Sequence, residues 1–135
     1  MSPISSAMSR VDIFREDRDQ ILRDAFEAET SGNLATAIRL FKRAARYGSN
    51  DARSKLGTIY DDVLIPRSPS KAVYWYRQAV KGGDANCAWN LAMHYAGMGQ
   101  RRGYLYWLRV AAAMGDADAP VELSDNAWWE KRKAR

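Results

Sequence analysis

The chain has 135 residues, a net charge of +5, 47% hydrophobic and 27% charged residues, one cysteine and one histidine. This length fits one domain of roughly 100–200 residues, and the composition excludes wholesale disorder. A lone cysteine excludes an internal disulfide and, with a single histidine, argues against a zinc site, so a reducing cytoplasmic setting without cofactors is expected.

Residues 1–8 lack both the charged start and the apolar core of a secretion signal, and no apolar run approaches the ~18–20 residues of a membrane span. Residues 1–16 read as an N-terminal arm or short cap helix, with a helical turn near 11–14. Seven helices are expected, over 17–31, 33–47, 50–61, 68–82, 84–97, 100–114 and 116–130, followed by a basic tail at 131–135. Apolar residues recur at i, i+3 and i+4, and strand-like alternation is absent, so the fold class is all-α. Asn33, Asn50 and Asp84 are candidate N-caps, and Ser68 precedes Pro69 at a first helical position. The loop at 61–67 contains Val63, Leu64, Ile65 and Pro66, an apolar run expected to tuck under a neighbouring helix pair.

Three glycines impose a repeat. Gly48, Gly83 and Gly115 are spaced by 35 and 32 residues. At +4, +8, +9 and +12, Gly48 is followed by Ala52, Leu56, Gly57 and Tyr60, and Gly83 by Cys87, Leu91, Ala92 and Tyr95. Gly115 gives the degraded copy Ala119, Leu123, Ser124 and Ala127. Ala44, Ala79 and Ala111 lie four residues before the same glycines. Small and large residues at fixed helical offsets imply closely packed helices. Cys87 shares a slot with Ala52 and Ala119, which makes it a buried filler. Trp75 and Trp107, beside Tyr76 and Leu108, read as core by the same periodicity.

The segments Ala52-x-x-x-Leu56-Gly57-x-x-Tyr60, Lys71-Ala72-Val73-x-Trp75-Tyr76-x-x-Ala79 and Gly83-Asp84-Ala85 resemble the Sel-one-like repeat, a relative of the tetratricopeptide repeat. The first copy, from Ala25 to Gly48, fits a plain tetratricopeptide unit equally. The resemblance implies a right-handed α-solenoid of antiparallel helix pairs over 17–130, with three to four repeats and atypical end copies. It also implies protein–protein contact without catalysis. No phosphate-cradling loop, nucleophile elbow or metal spacing interrupts that reading.

In such pairs the first helix lines the concave face. Carried over residue by residue, the outward offsets select Phe26 and Glu29 in the first copy, and Asp51, Asp61 and Asp62 in the second. They select Trp89 and Met93 in the third copy, then Asp125, Trp128 and Trp129 in the last; Ala96 and Gly97 also fall on this face. Acids around aromatic anchors are the composition of a protein-binding hot spot. Trp128 and Trp129 serve equally well as an end seal, and His94 reads as a packing or interface residue. Trp89→Ala is expected to weaken partner binding with stability nearly unchanged.

Charge is sorted by helix. The second helices hold Arg39, Lys42, Arg43, Arg46, Lys71, Arg77, Lys81, Arg101, Arg102 and Arg109 without one acid, or +10, against −10 on the first helices. The expected function is a non-catalytic module, monomeric or bound to its partner, that holds a basic protein segment against the acidic face. One version is a scaffold or adaptor; another is a cytoplasmic immunity protein that occludes a bacterial toxin. Nucleic acid on the basic helices and the tail is the alternative, disfavoured because those helices are read as lacking exposed aromatics between their bases.

Overall fold

The computed structural model describes residues 10–64, 66–125 and 130–131, with side chains from residue 17 onward. Among the described residues the chain is helical with no strand, so the all-α class holds. The helices are α1 (Arg10–Thr30), α2 (Leu34–Arg46), α3 (Asn50–Thr58), α4 (Pro69–Lys81), α5 (Ala85–Gly97), α6 (Arg101–Ala113) and α7 (Ala119–Asp125). A π-helical turn, Ile59–Val63, follows α3 directly. Neighbours in sequence are neighbours in space: α1 packs on α2, α4 on α5, α5 on α6, and α6 on α7. No described helix is long and apolar enough to cross a membrane.

The chain divides into two compact units, Met1–Leu56 and Gly57–Arg135. In the first, α1 begins at Arg10 rather than after an arm ending at residue 16. No glycine or proline stands between Arg10 and Thr30 to interrupt it. Ile21 and Ala25 of α1 are buried, as are Ala37, Phe41 and Ala44 of α2, an i, i+4, i+7 stripe. Phe26 sets its ring edge-on to Phe41, with centroids 5.1 Å apart.

The second unit has its core between α5 and α6. Ala88, Ala92 and Ala96 face Tyr104, Leu108 and Ala111, with Ala119 of α7 completing the cluster. Small residues on α5 admit the large side chains of α6. Two glycines extend the same logic to closer approaches. A Cβ on Gly57 would overlap the ring of Tyr76, and one on Gly103 would sit 2.6 Å from the ring of Tyr95. Tyr104 is fully buried and donates a 2.6 Å hydrogen bond to Glu122 Oε1, fastening α6 to α7.

The turns between helices share one geometry. Ser49, Asp84 and Asp116 each donate a backbone N–H to Ala44, Ala79 and Ala111 respectively, all at 3.0 Å. Gly48, Gly83 and Gly115 precede them at φ of 96°, 101° and 98°, a left-handed conformation that carries no steric penalty for glycine. The side chains of the same three residues then cap the next helix, accepting from the N–H of Ala52, Cys87 and Ala119. All three capped residues are fully buried, as the shared slot of Cys87 implies. The cap of α3 is therefore Ser49, not Asn50, whose backbone is already helical.

Two further expectations change. Trp75 and Trp107 are half-buried, Trp107 packed against the α5–α6 core, while their successors Tyr76 and Leu108 are buried. Each helical step turns about 100°, which on α4 and α6 carries the tryptophan to the edge of the inward face. The chain at 61–63 is also not loop. Leu64 donates its N–H to Ile59 O, five residues back, at 3.0 Å, and Val63 is exposed rather than tucked away.

Candidate binding groove

The π-helical turn borders a cleft of the second unit. Asp61 and Asp62, both on this turn, line a groove of about 740 Å³. Arg67 from the following segment and Pro69 and Tyr76 from α4 form one side. Asn90, Met93, His94, Gly97 and Met98 form the other. Residues 90, 94 and 98, the last of them the C-cap of α5, and residues 93 and 97 are i, i+4 neighbours, so a single face of the helix and its cap line the groove. The volume lies within the roughly 300–1,000 Å³ range of small-ligand sites and exceeds one side chain.

Asp61 is half-buried and accepts a long, 3.4 Å hydrogen bond from the Tyr76 hydroxyl, whereas Asp62 is exposed. Burial raises the Tyr76 phenol well above its ordinary range. The charges of Asp61 and Asp62 add to that rise, against a hydrogen bond with Thr58 that lowers it. Tyr76 therefore stays a neutral donor throughout the physiological range. His94 is half-buried, with its ring edge-on to Tyr95 at 5.3 Å. Met93 is half-buried and Met98 is 55% exposed, so two thioethers line the groove together with two carboxylates and one guanidinium, that of Arg67. Such a site suits a cation carried on an aliphatic stem, the shape of a lysine or arginine side chain. Among the described residues, no group of three or more His, Cys, Asp or Glu is placed to hold a metal.

Of the candidate binding residues, Asp61, Asp62 and Met93 come together in this groove. Gly97 lines it too, but Ala96 is fully buried. The open face of α5 is turned by less than one residue from the expected one. That rotation brings in Asn90, His94 and Met98, which the offsets omit. Trp89 is half-buried and packs against the cluster of Ala88, Ala92 and Tyr104. Asp125 is exposed at the end of α7, and Trp128 and Trp129 lie outside the described residues.

Phe26, Glu29 and Asp51 belong to the first unit. Phe26 is 42% exposed beside Phe41, with Lys55 Nζ 6.0 Å from its ring centroid. Glu29 Oε1 takes a 2.7 Å ion pair from Lys55, and Oε2 is buried without a hydrogen bond. Asp51 is exposed and shares a separate cleft of about 250 Å³ with Arg18, Asp19 and Leu22.

The basic helices differ from expectation in one respect. Tyr74 on α4 and Tyr106 on α6 are 54% and 57% exposed, so aromatic rings do stand between the bases. No protein-family model matches the chain, and a search of curated proteins finds no relative of it.

Proposed function

We propose that the chain is a Sel-one-like, tetratricopeptide-related repeat protein of right-handed α-solenoid form that acts as a non-catalytic binding module for a basic protein segment. The observation that carries this reading is the groove of the second unit, where Asp61 and Asp62 stand over Met93 and Met98. The carboxylates provide the counter-charge, the thioethers contact the aliphatic stem, and the Tyr76 hydroxyl orients Asp61. The matching residues at fixed offsets from Gly48, Gly83 and Gly115 support the repeat assignment. Cation capture at an acidic mouth favours fast, salt-sensitive association over tight binding.

The test is a fluorescence-anisotropy titration of the full chain with a labelled lysine- and arginine-rich peptide, beside an acidic peptide of equal length. Preferential binding of the basic peptide, lost in Asp61→Asn/Asp62→Asn, is the expected result. Equal binding of both peptides, or full retention in the double variant, would overturn the assignment.

A further inference from the structure

A second surface of the same unit shares no residue with the groove. On α4, Ser70, Tyr74, Arg77 and Lys81 follow one another along one side of the helix; on α6, Arg102, Tyr106 and Arg109 do the same. All seven are exposed. The two stripes coincide at the 32-residue repeat spacing, with Tyr74 matching Tyr106 and Arg77 matching Arg109. Each tyrosine meets the edge of the following tryptophan at 5.0 Å, with interplanar angles of 82° and 88°. The Arg77 guanidinium carbon lies 5.9 Å from the Trp107 ring centroid, which brings the two stripes side by side. A shallow cleft of about 300 Å³ runs along α4 past Tyr74, Arg77 and Lys81. Neither 13-residue helix contains an acid.

We propose that the outer face of α4 and α6 binds single-stranded nucleic acid, with Tyr74 and Tyr106 as stacking platforms and Arg77, Lys81, Arg102 and Arg109 as phosphate contacts. Cations alone would suit any polyanion. The recurrence of an exposed ring within one turn of an arginine on both helices adds what an acidic peptide does not use, a flat surface for a base. Single strands fit better than duplex, because the bases of a duplex are already stacked on one another. The surface includes none of the groove carboxylates, so this site stands independently of basic-segment capture.

The test uses the full chain and a labelled oligothymidylate of about twelve nucleotides, a length within the span covered by one small single-strand-binding domain. Anisotropy is followed across a salt series, with unlabelled oligothymidylate and polyglutamate as competitors. Expected are saturable binding at low salt that weakens steeply as salt rises, poor competition by polyglutamate, and a loss of affinity of about thirtyfold or more in Tyr74→Ala/Tyr106→Ala. Asp61→Asn/Asp62→Asn leaves the affinity intact, and circular dichroism checks that each variant is folded. No binding at low salt would overturn the proposal. So would displacement by polyglutamate as effective as by oligothymidylate with the tyrosine variant unchanged, a result that assigns the face to an acidic protein.

Discussion

The hydroxyl of Tyr104 and the Oε1 of Glu122 are 2.6 Å apart, a short bond from a fully buried phenol to a half-buried carboxylate. It is a polar link between α6 and α7. Tyr104→Phe keeps the ring and removes the donor. The variant is expected to lose about 1–2 kcal/mol, since a charged acceptor loses its partner. The urea midpoint measures this, and an unchanged midpoint would show that water replaces the phenol.

Tyr104 and Tyr76 also set the alkaline limit of the fold. Burial is the chief cause that raises both phenols above their ordinary value of 10.0; the bond to Glu122 adds to it for Tyr104, while Arg101 opposes it. A phenol whose folded pKa is raised contributes stability that is fully present below the unfolded value and is lost as pH rises above it. Stability should therefore fall from about pH 10 upward, where the unfolded chain releases these protons and the folded chain retains them. Tyr76→Phe and Tyr104→Phe should each flatten the decline in unfolding free energy measured between pH 9 and 11.5.

Gly57 and Gly103 lie inside helices, where alanine is ordinarily better by about 1 kcal/mol. Here the sign reverses, because the added methyl meets the Tyr76 or Tyr95 ring. Gly57→Ala and Gly103→Ala should each cost about 1–3 kcal/mol by overpacking. Gly97 has nothing within 4 Å of its would-be Cβ, so Gly97→Ala should be neutral or slightly stabilising. Thermal melts of the three variants give the comparison.

The ion pair between Lys55 and Glu29 is two-thirds or more buried on both sides, so solvent screens it only in part. Lys55→Met strands a carboxylate that already has one oxygen without a hydrogen bond. A loss of about 1–2 kcal/mol is expected, recovered in part by adding Glu29→Gln. Neither change should alter binding of a basic peptide to the groove of Asp61 and Asp62.

Trp89→Ala is now expected to act on stability. Its indole packs on the α5–α6 cluster, so truncation should lower the unfolding free energy by about 2 kcal/mol and leave peptide affinity within twofold. A large affinity loss at constant melting temperature would restore Trp89 to the binding surface.

Much of the architecture was legible because it is written in local chemistry. A glycine that must adopt positive φ, a capping side chain after it and a small residue three further on identify each turn, and all three turns form as the spacing implies. The π-helical turn left no comparable mark. The Ile59–Val63 stretch has no proline or glycine to betray a five-residue bond, so Asp61 and Asp62 were assigned to a groove whose shape was not foreseeable. Met93 was found by its offset, but Asn90, His94 and Met98 were not, because a rotation of less than one residue decides which neighbours face the cleft. The adjacent aromatics misled for the same reason: in Tyr74-Trp75-Tyr76 only the last ring is core.

The three glycine turns also bear on how quickly the chain finds its fold. Each closes with hydrogen bonds spanning three to five residues, and the helices pack mainly on their sequence neighbours. Little loop-closure entropy has to be lost before such contacts form. A single turn can therefore nucleate structure and recruit the next helix, the arrangement that favours fast folding.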